Sequence, residues 1–290
     1  MVDLHIHTSC SDGSLSPVEV VERAAARNLR AVAITDHDTV DGNADAIAAG
    51  RRCGVDVVPG VEISTHWEGT TFHLLGYGMR RRPERVRSTF AFLEESRRQR
   101  TPRMVEKLQG LGLDVTLDDV VREANGSLIG RPHFARVLLR KGLVSTFQEA
   151  FDRYLKRGAA AYVHKERLSP AAAAELIGEA GGIAVLAHPG LIDSERPGFL
   201  PGLLTNLTGL GLAGLEAHYS GHSTEETARY VSLARQRGLL VTGGSDFHRP
   251  GEGGPEMGTG FGGLRVPDSC YEKLARRIAA VDRADGRRHE

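Results

Sequence analysis

Six histidines and three carboxylates stand in this sequence in a pattern suited to metal-assisted hydrolysis. His5 and His7 are two apart in the run Asp3-Leu4-His5-Ile6-His7, so in an extended strand both rings leave the same face. Asp12 follows in the turn Ser11-Asp12-Gly13. A second apolar run, Ala31 to Thr35, leads into Asp36-His37-Asp38, and a third, Val55 to Ile63, carries Glu62 near its end. His73 opens a fourth run that starts at Phe72; His188 follows Ile183 to Ala187; Leu239 to Gly243 leads to Asp246 and His248, again two apart. Imidazole with carboxylate and no thiolate suits manganese, iron or zinc. A lone histidine at a strand end is more often structural than a ligand. That reading does not account for five strand ends that each carry a ligand type, with half of the 12 histidines among them.

For these side chains to meet, the strands must be neighbours whose C-terminal ends converge, as in a parallel sheet or barrel. The intervening segments read as helices. Ser16-Pro17 with Glu19, and Ser223 with Glu226, have the form of capping boxes, and Ser169-Pro170 is a further helix start. Strand, helix, strand alternation implies an α/β fold. Between residues 80 and 168 the strand signal disappears and helical patterns replace it. The expected organisation is therefore a barrel part over 1–79, a helical insertion over 80–168, a second barrel part over 169–281 and a charged, frayed tail over 282–290. Pro102 is expected to kink the insertion's first helix or to start a new one with Thr101 as cap.

The 290 residues are 40% hydrophobic, enough for a sizeable core. Formal net charge is zero, which argues against a protein that coats duplex nucleic acid by bulk charge. Only Lys107, Lys141, Lys156, Lys165 and Lys273 of the 37 basic residues are lysines, and arginine suits bidentate phosphate contacts, although codon bias explains the excess equally well. Cys10, Cys53 and Cys270 are scattered, which reads as a reducing compartment. No signal peptide and no membrane span are expected, which places the protein in the cytoplasm.

His5-Ile6-His7-Thr8, Ser11-Asp12-Gly13, Thr35-Asp36-His37-Asp38, Pro59-Gly60-Val61-Glu62, Ala187-His188-Pro189 and Ser245-Asp246-Phe247-His248 resemble, in order and spacing, the motifs of the PHP (polymerase and histidinol phosphatase) family. The resemblance implies a distorted seven-stranded (β/α) barrel with two or three divalent metal ions. It assigns His5, His7, Glu62 and Asp246 to one ion, Glu62, His73 and His188 to a second, and Asp12, His37 and His248 to a third. Glu62 would bridge, and His37 would serve one subsite. Mn2+ is the expected metal, with Fe2+ and Zn2+ as alternatives.

Gly130-Arg131-Pro132-His133-Phe134-Ala135-Arg136 and the stretch Gln148 to Val163 are similar to a bacterial subgroup of that family. The subgroup includes phosphatases of nucleoside 3′,5′-bisphosphates and exoribonucleases on short 5′-phosphorylated RNA. This implies a small phosphorylated nucleotide or short RNA as substrate, with the 3′-phosphate of a bisphosphate such as pAp hydrolysed by metal-activated hydroxide. It also implies that Arg97, Arg100, Arg103, His133 and Asp12 contact substrate, and that Glu62, Asp246 and His133 act in catalysis. A solvated arginine face is the plain alternative for residues 97 to 103. The competing functions are a 5′-3′ exoribonuclease, a histidinol phosphatase, and a PHP module without catalysis. His218 and His222 lie near the site by their strand and are open to an orienting role, whereas His66, His164 and His289 read as surface residues.

Overall fold

Seven mostly apolar runs form strands: β1 (Val2–Ile6), β2 (Ala31–Ile34), β3 (Asp56–Trp67), β4 (Thr70–Tyr77), β5 (Ile183–Leu186), β6 (Gly214–Tyr219) and β7 (Leu240–Gly244). They form one sheet in sequence order. In this computed structural model, which describes residues 1–126, 128–251 and 253–286, the sheet curls into a barrel. The seam is closed by the His7 N–H donating to the Phe247 carbonyl and the Asp246 N–H donating to the His5 carbonyl, both at 2.9 Å.

The sheet is not wholly parallel. β1, β2 and β3 are parallel and so are β5, β6 and β7, but β4 runs antiparallel to both its neighbours. The reason is the short turn at Glu68 and Gly69, both at positive φ, which folds β3 directly back on itself as a hairpin. Glu62 and His73 therefore lie inside long strands rather than at strand ends. They still reach one face, because Ser64, two residues after Glu62, is paired across the hairpin with His73.

The helices between strands cap as their sequences require. α1 (Pro17–Ala26) starts on the Ser16–Glu19 box, and α2 (Asn43–Cys53) ends on left-handed Gly54. Past Tyr77 come α3 (Glu84–Gly110), α4 (Leu117–Ala124), α5 (Arg131–Arg140) and α6 (Phe147–Ala150), which runs into a π-helical turn at Phe151–Leu155. Pro102 neither kinks α3 into two helices nor starts a new one. Pro102 and Arg98 are both exposed, so the carbonyl that loses its donor can be met by water. Val86, Phe90 and Leu93 of α3 pack on the barrel, while Met104, Val105 and Leu108 join Val120, Phe134, Leu138 and Leu155 in a separate core.

The chain returns through α7 (Pro170–Glu179), α8 (Pro189–Glu195), α9 (Leu200–Gly209), α10 (Thr224–Gln236) and α11 (Asp268–Gly286). Cys270, Leu274 and Ile278 of α11 pack with Val2, Ala31, Ile183 and Tyr77, closing the barrel mouth opposite the ligand-bearing ends. The expected fraying past Val281 is not seen as far as Gly286; residues 287–290, with His289, lie outside the described residues.

β7 approaches β1 so closely that only glycine fits at residue 244. A Cβ there would lie 2.3 Å from the His5 nitrogen and 2.4 Å from its Cβ. Overpacking costs about 1–3 kcal/mol, more where backbone must move. Gly244→Ala should lower the urea midpoint of the metal-free protein and displace His5, weakening metal uptake as well. An unchanged midpoint would contradict this packing.

Candidate metal centre and anion cleft

The nine histidines and carboxylates singled out in the sequence converge at one mouth of the barrel. Glu62 is the hub. One of its oxygens lies 2.8 Å from His73 Nδ1, 3.0 Å from His188 Nε2 and 3.4 Å from His5 Nε2; the other lies 2.9 Å from His37 Nδ1 and 3.3 Å from His7 Nε2. Asp246 lies 3.1 Å from His7 Nε2 and 3.5 Å from His5 Nε2. Asp12 faces His248 at 3.4 Å, His7 at 3.8 Å and His37 at 3.9 Å. These side chains form three groups whose potential ligand atoms lie within 4.8 Å of one another: His5, His7, Glu62 and Asp246; His37, Glu62 and His73; and His7, Asp12, His37 and His248. His188 adjoins the second group, 3.2 Å from His73. His7 and His37 each fall in two groups, so the geometry leaves His37 within reach of two subsites.

The backbone is bent to make this possible. Asp246 (φ 58°) and His188 (φ 28°) both take positive φ, a strained choice for residues other than glycine. Buried carboxylates outside the cluster hold the pieces in place. Asp36 accepts from the Thr8 N–H, the Thr8 hydroxyl and the Ser11 hydroxyl at 2.6–2.7 Å, fixing the loop that carries Asp12. Asp3 accepts from the Ser245 and Gly258 N–H groups, anchoring the loop that carries Asp246. Glu216 accepts from His5 Nδ1 at 3.0 Å and from the His188 N–H at 2.8 Å. A carboxylate can only accept here, so His5 presents the Nε2 lone pair to the centre. His222 bridges the Gly190 N–H and the Ala217 carbonyl, tying the turn after His188 to β6.

The electrostatics call for a cation. His5 Nε2, His7 Nε2, His37 Nδ1, Asp12 Oδ1 and a Glu62 oxygen are buried with no hydrogen-bond partner. Such orphaned atoms are costly unless something binds them. Burial opposes charge on Glu62, Asp12 and Asp246, yet the surrounding imidazoles hold all three well below the ordinary carboxylate range. Burial likewise opposes charge on His7, but Asp246 and Glu62 push it up to about 10. Unpaired ligand atoms of imidazole and carboxylate type fit a cluster of divalent ions.

Beside the centre, a cleft is lined by Asp12, His37, His73 and His248 on the barrel side and by Arg97, Arg100, Arg131, Lys165 and Arg167 on the helical side. Asp38, another positive-φ residue, accepts from Arg97 at 2.8 Å and from Lys165 at 2.7 Å. No carboxylate of the described residues pairs with Arg100, Arg131 or Arg167. Burial, then Arg131 and Arg97, bring the buried Arg100 guanidinium down to about 9, and burial with Arg167 lowers Arg131. The helical wall of the cleft is thus strongly cationic.

Two of the residues expected to contact substrate lie elsewhere. Arg103 is exposed on the outside of α3, since each three-residue step falls roughly 60° short of a full turn and carries it off the face of Arg97. His133 is fully buried and does not line the cleft; its Nδ1 accepts from the Gly130 N–H, while burial, then Arg136, lower it to about 4. Arg131, Lys165, Arg167 and Asp38 were not anticipated from sequence. Lys165 carried a faint signal as one of only five lysines; Asp38 stood in a ligand motif beside His37.

The PHP domain family model matches residues 3–158. The chain is 37% identical to the 3′,5′-nucleoside bisphosphate phosphatase of Chromobacterium violaceum, over 89% of this chain and 90% of that protein. It is 34% identical to a 5′-3′ exoribonuclease of Haemophilus influenzae, over 86% and 90%. A solved structure from Bifidobacterium adolescentis, described as a metal-dependent phosphoesterase, superposes with a TM-score of 0.82 at 33% identity, covering 95% of this chain and 96% of that one. Fold and site thus define a metal-dependent phosphoesterase. The chain belongs to the PHP domain family. No helix among the described residues is long and apolar enough to cross a membrane.

Glu62 belongs to two ligand groups and His248 to one. After reconstitution with manganese and desalting, the protein should retain about two to three equivalents, and Glu62→Gln should lose more than His248→Ala. Equal retention by both variants would contradict the bridging position of Glu62.

Proposed function

We propose that the protein hydrolyses the 3′-phosphate of a nucleoside 3′,5′-bisphosphate such as pAp. The observation that carries this reading is the pairing of two anion sites across one cleft, a metal-type centre on one wall and uncompensated guanidinium groups on the other. In it His5, His7, Asp12, His37, Glu62, His73, His188, Asp246 and His248 hold the ions, and Mn2+ suits their donor set. Bound divalent ions supply Lewis acidity toward phosphoryl oxygens and hydroxide near neutral pH. Arg100 and Arg131 take the second phosphate, aided by Arg167. Arg97 is committed to Asp38 and shapes the wall. The helical segment 80–168 serves as the substrate cap, and the free thiols Cys10, Cys53 and Cys270 agree with a cytoplasmic setting.

An exoribonuclease acting on 5′-phosphorylated RNA is the second reading. It is favoured by the groove past Arg100, into which a longer chain could continue, although Glu95 and Glu166 stand there beside Arg103 and His164. Comparing rates on pAp and on a 5′-phosphorylated trinucleotide separates the two; faster turnover of the trinucleotide would overturn the first. Histidinol phosphate has no second phosphate for the arginines to meet.

A hydrogen bond to a charged group contributes roughly 1.5–3 kcal/mol, so Arg100→Ala should lower kcat/KM on pAp by roughly ten- to a hundredfold. The loss on a chromogenic monoester should be much smaller. Arg100→Lys should recover only part, since an ammonium cannot replace a bidentate contact. Equal losses on both substrates would mean that Arg100 supports folding or metal binding instead.

A further inference from the structure

Lys165 is a buried lysine at the meeting point of the two anion sites. Its Nζ donates to Asp38 Oδ2 at 2.7 Å and to Ser64 Oγ at 2.8 Å. Both partners are tied to the metal side: Asp38 follows His37, and Ser64 pairs across the hairpin with His73. On its other side Arg97 shares the same Asp38 oxygen, and Arg100 and Arg167 line the same cleft. An ammonium has three N–H donors, and the third has no partner among the described residues. In a nucleoside bisphosphate, the atoms between the two phosphates are those of the ribose, including the ester oxygen that leaves.

We propose that Lys165 is the proton donor to that leaving oxygen, a role that rests on the phosphomonoesterase reading above. The oxygen of water forms the new bond to phosphorus and its proton is released to solvent. The ribose O–P bond breaks, and its electron pair takes a proton from Lys165 Nζ. The neutral amine regains a proton from solvent as products leave. Among the cleft residues that are not candidate ligands, Lys165 alone carries a cation able to give up a proton near neutrality. Burial and Arg97 bring it down to about 7 against the pull of Asp38. Asp38, Ser64, Arg97 and Arg100 surround it, and Asp12, His37, His73, His248, Arg131 and Arg167 are the other charged groups of the cleft. His133, the candidate named from sequence, does not line it.

The test uses Lys165→Met with manganese loaded and metal content checked, on three esters. pAp and adenosine 3′-monophosphate share a basic ribose leaving oxygen; p-nitrophenyl phosphate has a leaving group that needs no proton. General acid catalysis contributes roughly 10²–10⁴-fold. The loss in kcat on both nucleotides should exceed the loss on p-nitrophenyl phosphate by at least about tenfold. Lys165→Arg, which keeps the charge beside Asp38 but holds its proton too tightly, should retain metal and remain slow on the nucleotides. An equal loss on all three esters, a loss confined to pAp, no loss, or recovery by arginine would each overturn the proposal. Should the unmodified protein leave both nucleotides untouched, the nucleotide reading fails instead. Glycerol 1-phosphate, an alkyl ester with a similarly basic leaving oxygen, then carries the same comparison.

Discussion

One carboxylate, Glu62, is buried among five imidazoles at 2.8–3.4 Å. Removing a charge from water costs several kcal/mol even after relaxation, and here buried Asp12 and half-buried Asp246 add further carboxylates around the same imidazoles. Hydrogen bonds among the ligands do not satisfy the set, because five of its inward-facing atoms have none. A cluster of divalent ions resolves this conflict, and much of the surrounding structure serves to present it. Asp3, Asp36 and Glu216 are carboxylates that turn away from the centre and spend their hydrogen bonds on the loops and rings that form it. His188 and Asp246 accept positive φ for the same purpose.

The second wall of the cleft follows from charge balance. Asp38 is shared by Arg97 and Lys165, so one negative charge meets two positive ones, while Arg100, Arg131 and Arg167 add more. The chain as a whole is neutral, yet this cleft is locally cationic beside a metal-type centre. Such a pocket is poorly stabilised when empty and suits an anionic ligand. The helical segment has its own hydrophobic core, so Arg97 and Arg100 are held toward the cleft by packing at both ends of α3.

The strands, the capped helices and the nine histidines and carboxylates that converge at the barrel mouth were legible because their signals are local: apolar runs, Ser-Pro and Ser-Glu caps, and histidines two apart. The hairpin was not, since Glu68-Gly69 is a weak turn signal inside what reads as two separate strands. Helices α8, α9 and α11 also escaped notice; α8 and α9 open on His188 and Phe199 without a side-chain cap, whereas α11 opens on Asp268-Ser269 with Glu272, a polar start signal. Of the arginines spaced three apart, Arg97 and Arg100 line the cleft and Arg103 does not, because helical rotation carries it off that face. The pairing of Asp38 with Lys165 spans 127 residues, and no local pattern announces a partner at that distance.

Anomalous diffraction from crystals of the manganese-loaded protein addresses the central claim most directly. The expected result is at least two peaks within the barrel mouth, with the Glu62 carboxylate ligating two of them and His188, His37 or Asp246 completing the shells. Peaks confined to surface carboxylates, or a Glu62 side chain that touches no ion, would contradict it.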